Sequence, residues 1–231
     1  MEYIKKNLDE IELRIQSACD KVGRSRNEVQ LIAVSKTVEA DVMNASIDVG
    51  VTDLGENRVQ EIRRKFDDVK EARWHLIGHL QSNKVKYIID KVALIHSVDS
   101  LKLAEEINKR AQSHELIMPV LLQVDMALEA SKFGVGSSDV YDLVKQVLEL
   151  KNIRVEGLMF IAPFVDNPED VREYFKQMKV LFEDIKAKVS HERLDMKHLS
   201  MGMTNDFEVA IEEGATLLRV GTGVYGMRNY N

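Results

Sequence analysis

The chain has 231 residues, 45% of them hydrophobic and 30% charged, with a formal net charge of −6 at pH 7. That length is enough for one large domain around a substantial core, and the composition is that of a folded globular protein rather than a disordered one. The acidic balance supplies no global basic field to recruit nucleic acid or an anionic membrane, the lone Cys19 cannot form an internal disulfide, and no apolar run approaches membrane-spanning length.

The first 23 residues lack the apolar block of a signal peptide, so a cytoplasmic protein is expected. Instead, Ile4, Leu8, Ile11, Ile15, Ala18, Cys19 and Val22 fall on one stripe at helical spacing, closed by Gly23. This predicts an N-terminal helix over 1–23 with Cys19 as a small core-facing residue. After it, short apolar runs recur at 30–36, 52–57, 74–78, 93–98, 118–125, 154–160, 197–202 and 216–226. Seven helical stretches separate them. The clearest covers 168–189, where Val171, Tyr174, Phe175, Met178, Leu181, Phe182, Ile185 and Val189 share a face, and 139–150 behaves similarly. The charged stretch from Glu61 to Arg73 reads as a solvated helix face. Strands alternating with helices indicate a parallel sheet, and an eightfold alternation in this length predicts a closed (β/α)8 TIM barrel over 30–226. With the extra N-terminal helix it forms a single domain over 1–231. An open doubly wound sheet is the alternative.

Barrels carry reactive groups at the C-terminal ends of their strands. Here those ends read Ser35-Lys36-Thr37, Gly55-Glu56-Asn57, Gly78-His79, Ser97-Val98-Asp99, Gln123-Val124-Asp125, Ser200-Met201-Gly202 and Arg219-Val220-Gly221-Thr222-Gly223. Only the sixth, Met159-Phe160, is apolar. Lys36 leaves a packed run, Leu31 to Val34, and can supply a neutral amine for imine formation. The plainer alternative is a lysine snorkelling at a strand end. The last two strand ends offer hydroxyls, Ser200 and Thr222, beside glycines, as a phosphate site after strands seven and eight requires; a pair of glycine turns would look the same. Gly221 to Gly226 formally matches G-x-G-x-x-G, but that fingerprint needs a βαβ unit and an acidic residue farther on, and only five residues follow. His75 and His79 straddle a strand end with no third ligand, so no metal site is predicted.

Taken together, Val34-Ser35-Lys36-Thr37, Gly55-Glu56-Asn57, Trp74 to Lys84, Gly157-Leu158-Met159, Leu199 to Met203 with Asp206-Phe207, and Arg219-Val220-Gly221-Thr222 resemble the pyridoxal phosphate homeostasis protein family. The resemblance runs in order over nearly the whole chain. It implies the fold-type III barrel, similar to the N-terminal domain of alanine racemase. It further implies that Lys36 is the Schiff-base lysine, that Asn57 lies near the cofactor ring, and that Ser200 with the Met201 amide, and Gly221 with Thr222, cradle the phosphate. Arg219 is then the arginine near the pyridine nitrogen, where a guanidinium that cannot accept a proton leaves the ring a weak electron sink. The sequence departs from the usual pattern at Val38-Glu39, at Arg58 and at Asp125-Met126-Ala127-Leu128.

Two function classes follow. One is a non-catalytic carrier of pyridoxal 5′-phosphate in vitamin B6 homeostasis; the other is a small amino-acid racemase. A racemase needs a base on each face of the cofactor, and only Lys36 is in evidence, with Tyr225, Tyr230 and His79 as unplaced candidates. The carrier is expected, with B6 vitamers and apo forms of cofactor-dependent enzymes as partners, as a monomer or weak dimer.

Overall fold

The computed structural model describes residues 2–126 and 133–226. Helix α1 (Glu2–Lys21) buries Ile4, Ile11, Ile15, Ala18 and Cys19. It stops one residue before Val22, which is exposed. Gly23 takes φ +68° and Arg24 N–H returns to the Cys19 carbonyl at 3.0 Å, a left-handed helix end that suits a residue with no Cβ.

Eight parallel strands follow: β1 (Gln30–Val34), β2 (Asp53–Glu56), β3 (Arg73–Leu76), β4 (Leu94–Val98), β5 (Met118–Asp125), β6 (Ile153–Met159), β7 (Leu194–Ser200) and β8 (Leu217–Val220). Each pairs with its successor, and β8 pairs back onto β1 with Gln30 opposite Leu217 and Ala33 opposite Val220, so the barrel is closed. The two-residue strand Val135–Gly136 pairs in parallel beside the C-terminal end of β5. Helices α2 (Ala40–Asp48), α3 (Val59–Lys65), α4 (Leu101–Ser113), α5 (Val140–Leu148), α6 (Arg172–Lys188), α7 (Phe207–Glu212) and α8 (Thr222–Tyr225) complete the order. The β3–β4 crossover is a 3-10 segment, Ser82–Tyr87, rather than an α-helix. No helix of the described residues is long and apolar enough to cross a membrane.

Strand residues alternate between two cores, as the pleat requires. The larger lies between strands and helices and includes Ile11, Trp74, Phe175 and Leu199. The smaller lies inside the barrel and consists of Ile32, Leu94, Leu121, Met159 and Leu217. Two steps along β1 from Ile32 come Val34 and then Lys36; two steps along β8 from Leu217 come Arg219 and Gly221. Period-two alternation thus carries both residues from the barrel floor toward its C-terminal mouth.

Three expectations need correction. The 168–189 stretch is not one α-helix: Asn167 caps a 3-10 turn over Pro168–Val171, and α6 begins at Arg172. Proline at the first position sets φ for a tight turn without losing a needed donor. The 216–226 run is a strand only to Val220. Val224 and Tyr225 turn into α8 and bury themselves near α1, where Asn7 Nδ2 donates to the Val224 carbonyl at 3.0 Å. Tertiary packing here overrides a β-rich local sequence. Within the expected solvated stretch 61–73, α3 ends at Lys65, which is 1% exposed, and Arg73 opens β3.

Candidate functional site

A cavity of about 540 Å³ opens at the C-terminal mouth. Lys36, Asn57, Arg219, Gly221 and Thr222 all line it, with Val34, Ile77 and Ile161 as apolar wall and Met203, Thr204, Asn205 and Asp206 closing one side.

Lys36 is half-buried at the end of β1, and its backbone is held tightly. Ser35 N–H donates to the Gly55 carbonyl at 2.9 Å, and Ser35 Oγ donates to Glu56 Oε1 at 2.8 Å. Lys65 Nζ donates to the Ser35 carbonyl at 3.0 Å and to the same Glu56 oxygen at 2.8 Å. Ser35 is therefore gripped on both its hydroxyl and its carbonyl by a buried ion pair. Burial pushes the Glu56 carboxyl up from its ordinary range, with Lys65 pulling against it. On the other side of Lys36, Thr37 sits at φ +61°, a left-handed conformation that costs a residue with a Cβ about 1–2 kcal/mol. Strain of this kind persists only where the surroundings over-determine the chain, and the Ser35 clamp supplies that constraint.

Asn57 follows β2 and is held by its neighbour across the sheet. At Gly78, a Cβ would come within 2.3 Å of the Asn57 carbonyl oxygen, so only glycine lets the two turns meet. Arg219, 5% exposed, enters from β8. Its Nη1 donates to Ser200 Oγ at 2.6 Å and its Nη2 to the Phe160 carbonyl at 2.8 Å. Burial lowers the guanidinium to about 10, which leaves it a cation at neutral pH.

Ser200 and Met201 do not reach the cavity lining. The Ser200 hydroxyl is turned into the barrel toward Arg219 and His96, 2.9 Å from His96 Nδ1, and the residue is fully buried. The Met201 amide donates to the Leu217 carbonyl at 3.2 Å, and its side chain joins the outer core. The strand is still laddered at these residues; the chain reaches the mouth only in the loop beyond them. There Thr204 and Asn205 line the cavity, and Asp206 accepts from Met203 N–H at 2.6 Å to shape the loop. The sequence reading missed Thr204. The available signal was positional: barrel sites are built from the loops after the strands, and Thr204 is the first hydroxyl past the end of β7.

The other candidates lie elsewhere. Tyr225 is buried with its hydroxyl 3.0 Å from Ser46 Oγ and is absent from the cavity lining. His79 stacks on Phe133 with centroids 3.7 Å apart and is 3.5 Å from Asp99. Tyr230, Ala127 and Leu128 fall outside the described residues. Among the described residues, no group of three or more His, Cys, Asp or Glu is placed to hold a metal ion.

The family profile of the alanine racemase N-terminal domain matches residues 7–229. A pyridoxal phosphate homeostasis protein from Aquifex aeolicus is 45% identical over 219 residues, covering 94% of this chain and 95% of that one. The chain belongs to the pyridoxal phosphate homeostasis protein family. The Escherichia coli K12 member is 36% identical over 239 residues, covering 100% of this chain and 99% of its own. The structure of PipY from Synechococcus elongatus PCC7942, solved with PLP bound, superposes with a TM-score of 0.84 at 32% identity, covering 96% of this chain and 100% of that one. Members of this family share the barrel, so the expected closed (β/α)8 fold and the resemblance hold together.

Proposed function

We propose that this chain binds pyridoxal 5′-phosphate in the C-terminal cavity through Lys36 and acts, without turnover of its own, as a single-domain cytoplasmic component of vitamin B6 homeostasis. Lys36, Asn57, Arg219 and Thr222 converging on one cavity is the observation that carries this reading. The donor set fits the cofactor. A primary amine suits an aldehyde, a buried guanidinium suits a ring nitrogen, and Val34, Ile77, Ile161 and Met203 suit the faces of a planar ring. Thr204 joins Thr222 as a hydroxyl offered to phosphate, in place of Ser200 and the Met201 amide, which do not line the cavity. Bound there, the cofactor supplies an aldehyde that condenses with a primary amine and releases water. Lys36 is the Schiff-base amine, held in place by the Ser35 clamp. Arg219 meets the ring nitrogen with donors only, so no proton acceptor stabilises a pyridinium and electron withdrawal by the ring is weak. Tyr225 is turned away to Ser46, so among the described residues no tyrosine lines the cavity opposite Lys36. Apo forms of cofactor-dependent enzymes are the proposed partners, and a monomer or weak dimer the proposed state.

The test is an absorption spectrum before and after borohydride, followed by peptide mapping and by solvent-deuterium incorporation at the α-carbon of L-alanine. The adduct is expected on Lys36 and lost in Lys36→Ala, with no exchange at enzymatic rates. A borohydride-stable adduct unchanged in the variant places the link on another lysine. Exchange at about 1 s⁻¹ or faster, lost with Lys36, makes the protein a racemase.

A further inference from the structure

A hydrogen-bonded chain crosses the barrel interior from mouth to mouth. At the N-terminal mouth Arg73, which lines a second cavity of about 560 Å³, donates to Asp53 Oδ2 at 2.8 Å. Asp53 Oδ1 lies 2.9 Å from His75 Nε2, and His75 Nδ1 lies 3.0 Å from His96 Nε2. His96 Nδ1 is 2.9 Å from Ser200 Oγ, which is 2.6 Å from Arg219 Nη1. From Asp53 to Arg219 every member is buried.

The two ends set the direction of every bond. A guanidinium has only donors, so Ser200 Oγ accepts from Arg219. A carboxylate only accepts, so His75 carries a proton on Nε2. With one proton per ring, His75 Nδ1 accepts from His96 Nε2–H, and His96 Nδ1 accepts from the Ser200 hydroxyl. All donors then point from Arg219 toward Asp53, and all are satisfied. A second proton on His75 reverses the ring-to-ring bond and leaves the Ser200 hydroxyl hydrogen with no acceptor in a fully buried position. A second proton on His96 puts an imidazolium beside Arg219. Burial first, and then the Arg219 cation, hold His96 well below the ordinary histidine range. Burial raises the Asp53 carboxyl, but hydrogen bonds from His75, Arg73 and Thr52 outweigh it and hold the group at about 2.

We propose that Asp53, His75, His96 and Ser200 are positioning residues that lock Arg219 as an aimed, cationic donor at the cofactor cavity, with both imidazoles neutral and protonated on Nε2. What Arg219 meets rests on the proposed function. The state of the chain is a property of the protein alone, and the experiment separates the two.

Long-range 1H–15N correlation on histidine-labelled, cofactor-free protein reads the tautomers, with signals assigned by His75→Gln and His96→Gln. Both rings are expected as Nε2–H with a bare Nδ1 at neutral pH. An Nδ1–H tautomer or an imidazolium on either ring overturns the proposal. Solvent exchange of the Arg219 guanidinium protons, in the same cofactor-free protein, then reads the lock. His96→Leu removes the acceptor for Ser200, whereas His96→Gln can accept from Ser200 and donate to His75. Exchange should quicken by about tenfold or more in His96→Leu and return to within about threefold of the wild type in His96→Gln. Ser200→Ala takes the place of His96→Leu should that variant not fold. Equal rates in all three proteins, or equal acceleration by Leu and Gln, refute the positioning role. With cofactor added, His96→Leu should weaken pyridoxal phosphate and unphosphorylated pyridoxal alike and shift the visible absorbance of the bound form. Absence of any binding by the wild type sinks the proposed function and leaves the nitrogen shifts and exchange rates to decide the chain.

Discussion

Two buried polar networks flank the cavity, and they solve the same problem differently. Around Ser35, Lys65 and Glu56 bury opposite charges 2.8 Å apart and use them to hold a backbone, the one from which Lys36 projects. Through Ser200, two histidines carry a chain of hydrogen bonds that holds a side chain, that of Arg219. The first network is short and charged, with Lys65 also meeting Glu61 Oε2 at 2.8 Å, and Glu56 Oε2 has no hydrogen-bond partner among the described residues. The second is long and keeps its charges at its ends, on Asp53 and Arg219. A charge pair is compact but fails badly when one partner is removed; a neutral chain spreads the same ordering over several modest bonds.

Lys65→Met tests the first network and should show the largest effect. It leaves Glu56 buried and unpaired, a loss of about 3–5 kcal/mol in urea unfolding. Glu56, already pushed up by burial, can then escape by taking a proton. A carboxyl raised in the folded state stabilises below its unfolded pKa and loses that contribution as pH rises, so the variant should be less impaired near pH 5 than near pH 8. A loss independent of pH shows that Glu56 is not the cause. Replacing both partners, Lys65→Met with Glu56→Leu, should recover much of the stability.

Thr204→Ala and Thr222→Ala sharpen the contrast at the ligand. Each should weaken pyridoxal phosphate by about 1.5–3 kcal/mol while sparing unphosphorylated pyridoxal, because the lost bond is to the charged phosphate. Ser200→Ala, acting through Arg219, should weaken both vitamers equally in titrations. Selective loss of the phosphorylated form in Ser200→Ala returns Ser200 to the phosphate.

Acid tests the second network at its far end. Asp53 is held at about 2, below its ordinary 3.8. A depressed carboxyl contributes stability that is present above its unfolded pKa and is lost as pH falls through the folded one. About 2 kcal/mol should therefore disappear between roughly pH 4 and pH 2, and Asp53→Asn should flatten that limb. A separate pH limb lies at His198, a half-buried imidazole outside the chain. Burial lowers it from 6.5 to about 4 against the pull of Glu156. It takes its proton first in the unfolded state, so stability should fall as pH drops from 6.5 toward 4, by at most about 1.4 kcal/mol per pH unit. His198→Gln should remove that slope and leave the lower limb untouched.

Much of the site was legible because strand ends are local objects. Lys36, Asn57 and Arg219 lie on or just past a predicted strand, and alternation sends them to the same face, whereas Thr222 is out of that phase and enters as the first residue of α8. Ser200 and Met201 stand at an equally plausible strand end. Their absence from the cavity lining follows from how far β7 stays laddered to β8, which the Met201 bond to Leu217 decides. Lys65 was hidden in a charged stretch, where nothing local separates a lysine in water from one paired with Glu56 nine residues earlier.

By itself the sequence determined the fold class and singled out Lys36 for the proposed imine: period-two runs between helical stripes can close only a limited set of parallel sheets, and Lys36 stands just past the first of those runs. Tertiary structure alone decided the partners of the inward-facing polar residues. Asp53, His75, His96, Ser200 and Arg219 lie on five different strands, and a hydrogen bond between His96 and Ser200 spans 104 positions of chain. The direction of such a bond follows from which donors and acceptors meet across the barrel, and that is settled only when the sheet closes and its register is set.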